Sequence, residues 1–128
     1  MQATQTDLDK VTELACEFLE KVHNRPADQE LARNILELCL DEGVIFFTEN
    51  SFLAAMPWFD PFTGRDGVRE VAWYSKNGTG VNLLRELTKW ADERNLVVYF
   101  SLLASAAKCK NILERNGFVE VETNYIRT

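Results

Sequence analysis

A glycine-containing turn between a hydrophobic strand and a long amphipathic helix constrains this chain most. Residues 71–74 (Val-Ala-Trp-Tyr) lead into the turn at 75–81 (Ser-Lys-Asn-Gly-Thr-Gly-Val), and an amphipathic segment continues to residue 95. Two glycines separated by one residue let the backbone turn sharply and approach a ligand closely. Because the first amides of a helix are unpaired and lie at the positive end of its dipole, the turn predicts an anion site. An ordinary turn has the same short pattern, so the choice between an anion site and an ordinary turn depends on the other elements of the chain.

Length and charge bound the class of protein. A chain of 128 residues is long enough for one core, so we predict a single domain over residues 1–128. Its hydrophobic content of 46% is typical of a packed globule. The formal net charge of −6 argues against nucleic acid or an anionic membrane as the main partner, since both need a basic surface. An anionic small ligand needs only a local basic cluster.

The cysteines favour a reducing compartment. Cys16, Cys39 and Cys109 form no CxxC pair, have no histidine nearby, and fall inside predicted helices, where cysteine usually behaves as a small buried hydrophobe. We therefore predict no metal site and no disulfide framework. No apolar run approaches the roughly 18 residues of a membrane-spanning helix, and the N-terminus lacks a signal-peptide core. Together these features predict a cytoplasmic protein.

Apolar periodicity predicts two N-terminal helices. The first covers residues 8–22, with Thr6 or Asp7 as its cap, and ends before Pro26. The second begins at Pro26 or Asp28 and ends at Gly43. Its expected inner stripe, with two further leucines beside it, is Leu31, Ile35, Leu38 and Cys39, flanked by Leu36 and Leu40.

Short β-rich segments follow the helices. Residues 44–47 and 52–56 predict two strands joined by a turn at 49–51, the second strand ending before Pro57. Residues 68–74 predict a third strand. Simple alternation along that strand places its side chains on two faces, with Arg69, Val71 and Trp73 on one and Glu70, Ala72 and Tyr74 on the other.

The rest of the chain alternates helix and strand. The helix at 81–95 is predicted to direct inward Leu83, Leu84, Leu87, Trp90 and Ala91. The apolar run 97–102 then predicts a central strand buried on both faces, and residues 105–116 predict a helix stopped by Gly117. A final strand is predicted over 119–126, because one set of side chains alternates with a polar set: Val119, Val121, Thr123 and Tyr125 with Glu120, Glu122 and Asn124. The order predicts an α/β (α+β) domain whose mixed sheet has antiparallel N-terminal strands, a parallel central pair and helices on both faces.

This order of elements resembles the GNAT superfamily of N-acetyltransferases from Val68 onward. Gly78, Thr79 and Gly80 match the G-x-G of that family's Q/R-x-x-G-x-G/A loop, with Ser75 at the position of the arginine or glutamine. Residues 110–118 look like the family's helix that ends in Gly-Phe, and residues 70–74 look like the strand before the loop. The compact sequence also resembles acetyltransferase-like proteins of bacteriophages and prophages.

The resemblance implies acetyl-CoA as the cosubstrate. In the family, the loop amides hold its pyrophosphate and the pantetheine arm lies between two splayed parallel strands, here 69–74 and 97–102. Lys76 or Arg85 would supply positive charge, in a connection from Tyr74 to the glycines that is shorter than usual. The residues implied to bind the coenzyme are Tyr74, Ser75, Lys76, Asn77, Gly78, Thr79, Gly80, Val81 and Ser105.

The resemblance also implies catalytic residues. Glu70 is the candidate base, because family members often carry a glutamate on this strand, and burial would raise its pKa toward working pH. Leu113 occupies the position of the tyrosine that commonly acts as general acid. Its candidate replacements are Tyr99, Ser101 and Ser105, with Tyr125 as a more distant one.

Three functional interpretations remain open at this point. The first is an N-acetyltransferase acting on an amine of a small molecule or protein. The second is a catalytically weak or inactive protein of the same fold that binds a partner protein, such as a phage effector bound to a host protein. The third is a structural component.

Trp58 and Phe59 either line an acceptor pocket or cover the core. The acidic outer positions of the first two helices form a solvated face or attract a cationic amine or basic protein. A homodimer is compatible with each of the three functional interpretations.

Overall fold

A mixed four-stranded sheet organises the protein. The computed structural model describes residues 1–103 and 106–128. The strands adjoin in chain order; β2 is antiparallel to both β1 and β3, whereas β4 runs parallel to β3. This confirms the predicted mixed sheet with its antiparallel N-terminal strands and its parallel pair. The strands are β1 (Val44–Phe47), β2 (Ser51–Asp60), β3 (Arg65–Ser75) and β4 (Val97–Tyr99).

Helices cover both faces of the sheet. A 3-10 turn at Gln5–Asp7 precedes the first helix, and the Asp28 side chain caps the second by accepting a hydrogen bond from the Leu31 amide at 3.0 Å. In the described part of the chain, no helix is long and apolar enough to cross a membrane. The helices are α1 (Leu8–Lys21), α2 (Gln29–Glu42), α3 (Gly80–Glu93) and α4 (Ala107–Arg115).

Two apolar clusters hold these layers together. On one face of the sheet, Leu14 of α1 and Leu36 of α2 pack with Phe52 of β2. On the other face, Leu83 and Leu87 of α3 pack against strand residues that include Leu53, Ala55 and Val68. Fully burying side chains of this size stabilises the fold by about 1.5–3 kcal/mol each. Of the inward positions predicted for α3, Leu83, Leu84, Leu87 and Ala91 are confirmed as buried, and Trp90 is half-buried.

Strand β2 is longer than predicted and passes through a proline. It continues beyond Pro57 to Asp60 and pairs with β3 as far as Arg65. Proline cannot donate to a strand neighbour, so it is tolerated where a strand has a free edge. The pairing of β1 ends at Val44 opposite Ala55, so Pro57 lies where β2 has β3 alone beside it in the described chain.

A β-bulge at Val71 changes which side chains of β3 share a face. Ala72 lies opposite Ala54, but Glu70 lies opposite Ala55, so Val71 is the extra residue. Residues opposite one another share a face. Because Ala55 belongs to the cluster under α3, Glu70 lies on the same face as Trp73, and Arg69 lies on the other; the predicted alternation of these three side chains is wrong.

The inward stripe predicted for α2 is wrong at three of its four positions. Leu31, Ile35 and Leu38 are 56%, 41% and 45% exposed. The fourth member, Cys39, is buried as predicted, together with Ala32 and Leu36 beside the stripe. Helical spacing alone does not select between two adjoining apolar stripes; contact with the sheet does.

The C-terminal half of the sheet is smaller than predicted. β4 covers only Val97–Tyr99, is half-buried, and stands at the edge of the sheet instead of at its centre. The predicted strand at 119–126 is wrong, since those residues are irregular and exposed, with Tyr125 93% exposed. Alternation had predicted a strand, but no neighbouring strand in the described chain pairs with this segment. Phe118, just before this segment, packs edge-on against Phe100, with the ring centroids 5.3 Å apart.

Candidate active site

The sheet opens between β3 and β4. Their pairing stops at Arg69 opposite Tyr99, whereas β3 continues to Ser75. Within the described residues, the β3 backbone from residue 70 onward therefore has no strand neighbour on that side. Unpaired backbone donors and acceptors along a strand edge can bind an extended ligand. The opening leads directly to the glycine turn.

The glycine turn joins the end of β3 to the start of α3. Gly78 has a φ of +76°, which side-chain-bearing residues rarely adopt, and a Cβ added there meets no atom within 4 Å. Gly80 is tightly packed instead, because a Cβ there would lie 2.9 Å from Nε1 of Trp73. That indole nitrogen donates a hydrogen bond to the Gly80 carbonyl at 3.0 Å. The turn is thus open on the Gly78 side and closed at Gly80.

Free amides lie at the N-terminus of α3. The Asn77 side-chain oxygen accepts hydrogen bonds from the Thr79 amide at 3.3 Å and the Thr79 hydroxyl at 2.7 Å. The amides of Gly80 and Val81 donate to no acceptor in the described part of the chain, and Thr79 provides no side-chain cap. Two free donors at the positive end of a helix fit an anionic group such as a phosphate.

The carboxylate of Glu17 ties α1 to this turn. Its oxygens accept a hydrogen bond from the Tyr74 hydroxyl at 2.9 Å and pair with the Lys76 ammonium at 3.1 Å and that of Lys21 at 3.7 Å. Partial burial raises the pKa of Glu17, but these three groups together hold it below its usual value. Lys76 thus faces a carboxylate as well as the turn. The sequence interpretation grouped Glu17 with the solvated acidic positions of the first helix. No local pattern distinguishes Glu17 from the other acidic residues of that helix.

We expect Glu17→Gln to lower the free energy of unfolding by about 1 kcal/mol at neutral pH, because it weakens the bonds to Tyr74 and Lys76. The lowered pKa means that this stabilisation is present above the pKa of the unfolded carboxyl and is lost as the pH falls through the folded value. Urea denaturation at neutral and strongly acidic pH measures both effects. Glu13→Gln, at an exposed position of α1, is the control; an equal loss there would contradict the assignment.

Glu70 lies where β3 and β4 diverge. Its side chain is half-buried, and burial raises its pKa to about 7, although a hydrogen bond from the Ser101 amide and the charge of Arg69 oppose the shift. The donor–acceptor distance from the Ser101 nitrogen to Oε2 of Glu70 is 3.5 Å. A carboxyl group with this pKa can accept a proton near neutral pH.

Tyr99 and Arg69 belong to a cavity on the other face of the sheet. The Tyr99 hydroxyl donates to Oδ2 of Asp60 at 2.7 Å, and this bond raises the pKa of the tyrosine. The Arg69 guanidinium lies 5.1 Å from the ring centroid of Trp58 and donates to Oγ of Ser101 at 3.1 Å. The cavity, of about 410 Å³, is lined by these aromatic and charged groups and by Phe62.

The structure brings some of the predicted residues together and separates others. Ser101 contacts Glu70 through its amide and Arg69 through its hydroxyl, so it links the opening to the cavity. Tyr125 is exposed, and the predicted coenzyme residue Ser105 lies outside the described residues. Asp60 and Arg69 were not predicted as site residues, because their partners come from distant strands. Residues 1–103 and 106–128 contain no cluster of His, Cys, Asp or Glu that could hold a metal ion.

Comparison with known proteins identifies the fold. No protein-family model matches the sequence, and the comparison with curated proteins found no match. Solved structures match the whole chain, and the mixed sheet with its helices is that of the GNAT acetyltransferases. At sequence identities of 21% and below, this likeness establishes the fold alone.

Three of these structures define the comparison. A "probable acetyltransferase" is 21% identical with a TM-score of 0.82, over 100% of this chain and 95% of its own. A "predicted acetyltransferase" of Clostridium acetobutylicum, solved with acetyl-CoA, is 16% identical with a TM-score of 0.75, over 100% and 94%. AAC(6')-Iy, solved with the bisubstrate analogue CoA-S-monomethyl-acetylneamine, is 14% identical with a TM-score of 0.77, over 100% and 95%.

Proposed function

We propose that this protein transfers the acetyl group of acetyl-CoA to an amine of a small molecule or protein. The observation that supports it most is the opening between β3 and β4, which ends at the free amides of Gly80 and Val81. Those amides would hold the pyrophosphate, and the unpaired edge of β3 would face the pantetheine arm. Two neighbours solved with acetyl-CoA or a CoA-containing analogue support the choice of cosubstrate.

The catalytic roles follow from the chemistry of amide formation. Acetyl-CoA supplies a thioester that a neutral amine can attack, so an acceptor ammonium must first lose a proton. Glu70 is proposed to take that proton, because its pKa of about 7 leaves a substantial fraction ionised near neutral pH. Ser101, whose amide lies beside Glu70, is proposed to donate to the departing sulfur. Tyr99 is the second candidate donor, and its hydroxyl would first have to give up its bond to Asp60. Residues 74–81 and Ser105 remain the proposed coenzyme site.

A thermal-shift titration with acetyl-CoA tests the proposal. Ligand at about 100 times its Kd is expected to stabilise the fold by about 2.7 kcal/mol, which raises Tm by several degrees in a domain of this size. Gly78→Val is expected to abolish the shift, because valine disfavours a φ of +76° in the turn. Gly64→Val is the matched control, with a φ of +69° and equally open surroundings in another turn.

The outcomes separate the two main interpretations. No shift at millimolar acetyl-CoA would refute the acetyltransferase proposal, and equal loss of the shift in both valine variants would remove the glycine turn from the site. A normal shift without acetylation of any amine in a broad panel would favour the alternative, a protein of this fold with little or no catalysis. Mass spectrometry of the amine panel supplies the second measurement.

A further inference from the structure

Helix α2 exposes an apolar stripe beside the one that it buries. Leu31, Ile35 and Leu38 follow one another at spacings of four and three residues, so they form a continuous line on one side of the helix. All three are more than two-fifths exposed, at 56%, 41% and 45%. Single exposed apolar residues are ordinary, whereas an aligned set on a helix is typical of a surface that contacts another protein.

Acidic side chains border this stripe. Glu42 continues its line one turn beyond Leu38, and the neighbouring line of the helix carries exposed Glu30, Glu37 and Asp41. The basic residue of α2, Arg33, is directed to Asp9 of α1 by an ion pair. The stripe is therefore apolar along its centre and negative along its rim.

We propose that α2 binds an amphipathic helix of a partner protein, with apolar residues at helical spacing and lysine or arginine beside them. The apolar lines would pack as two helices do, and the basic residues would meet the acidic rim. A second copy of this chain fits poorly, because pairing two α2 helices would oppose two acidic rims on molecules of net charge −6. This surface is independent of the proposed acetyl transfer.

A designed peptide tests the apolar contact. The probe is a fluorescent amphipathic peptide of roughly 18 residues with leucines on one face and lysines beside them, compared with a scrambled peptide of the same composition. Fluorescence anisotropy should show saturable binding that falls at least about tenfold in the triple variant Leu31→Gln, Ile35→Gln, Leu38→Gln. Glutamine keeps the helix propensity of these exposed sites. The control variant replaces two other exposed apolar residues, Val119→Gln and Ile126→Gln, and should bind normally.

Neutralising the acidic rim and reversing the charge of the peptide test the electrostatic part. The triple variant Glu30→Gln, Glu37→Gln, Asp41→Gln should bind the lysine peptide several-fold more weakly at low salt and should lose most of its salt dependence. A peptide with glutamate in place of lysine should not bind. Four results would each overturn the proposal: no saturable binding at millimolar peptide, equal binding of the scrambled peptide, full binding by the glutamine-stripe variant, or self-association through α2 in sedimentation equilibrium.

Discussion

Replacing Glu70 with glutamine is expected to lower kcat/KM for acetyl transfer by roughly 10²–10³-fold, because a positioned general base contributes about that much. In the unmodified protein, kcat/KM should rise with pH through the pKa of Glu70, about 7. The variant should lose that inflection, because glutamine does not titrate. Steady-state rates across pH measure both effects. Unchanged turnover, or an unchanged inflection, would remove Glu70 from the role of base.

The same variant should be more stable than the original protein at alkaline pH. Burial raises the pKa of Glu70 from an ordinary 4.5 to about 7, so the folded state holds its proton more tightly than the unfolded state. Stability from this group is fully present below the unfolded pKa and is lost as the pH rises through 7. At pH well above 7, Glu70→Gln should therefore raise the free energy of unfolding by about 3 kcal/mol.

Opposite signs for activity and stability make this test specific. A purely structural defect would lower both quantities, whereas a buried catalytic carboxylate lowers the rate and raises the stability when it is replaced. Glu114→Gln, at an exposed position of α4, is the comparison for losing a carboxylate without burial. A Glu70→Gln protein that is less stable at every pH would contradict the half-buried, ionisable environment described above.

Gly80→Val is expected to lower the free energy of unfolding by about 3 kcal/mol and to abolish the binding of acetyl-CoA. The added Cβ would lie 2.9 Å from Nε1 of Trp73 and 3.2 Å from Cβ of Ser75, so the start of α3 must move away from β3. That movement breaks the indole hydrogen bond to the Gly80 carbonyl and overpacks the junction. Urea denaturation and the acetyl-CoA titration measure the two losses.

A double-mutant cycle identifies the source of the loss. Gly80→Ala introduces the same Cβ with less bulk, and Trp73→Phe removes the indole nitrogen that this Cβ would meet. If Trp73 is the obstacle, the double variant should be more stable than the sum of the single effects by about 1 kcal/mol. Strict additivity would show that another contact limits the position. Gly78→Ala, where a Cβ meets open space, reports the cost of the positive φ alone.

Much of the fold was predictable because it depends on neighbours in sequence. The apolar positions of α3 at Leu83, Leu84 and Leu87 repeat at helical spacing, and the helix buries them as predicted. Asp28 was one of the two residues predicted to start α2, and its side chain accepts a backbone hydrogen bond there as the helix cap. The glycine turn was predictable for the same reason, since a positive φ at Gly78 is a local requirement.

The predictions fail where the structure depends on how two segments distant in sequence pair with each other. The alternation at 119–126 predicted a strand, but a strand forms only when a neighbour pairs with it, and no described strand does. The Val71 bulge is a mismatch in register between β2 and β3, and it reverses the face of Glu70 relative to Ala72. Neither the missing strand pairing nor the register mismatch can be predicted from the sequence of one segment alone.

By itself, the sequence determined the order of the elements as far as α4, the glycine turn at the start of α3 and the residue types available for chemistry. Those features depend on interactions between residues a few positions apart. Apolar periodicity and backbone preferences therefore predict them. Only the tertiary structure decided where β3 and β4 separate, which face carries Glu70, and that Glu17 holds Tyr74, a residue 57 positions away in sequence. Such contacts depend on how sheet and helices pack, because the partners approach each other only after the chain has folded.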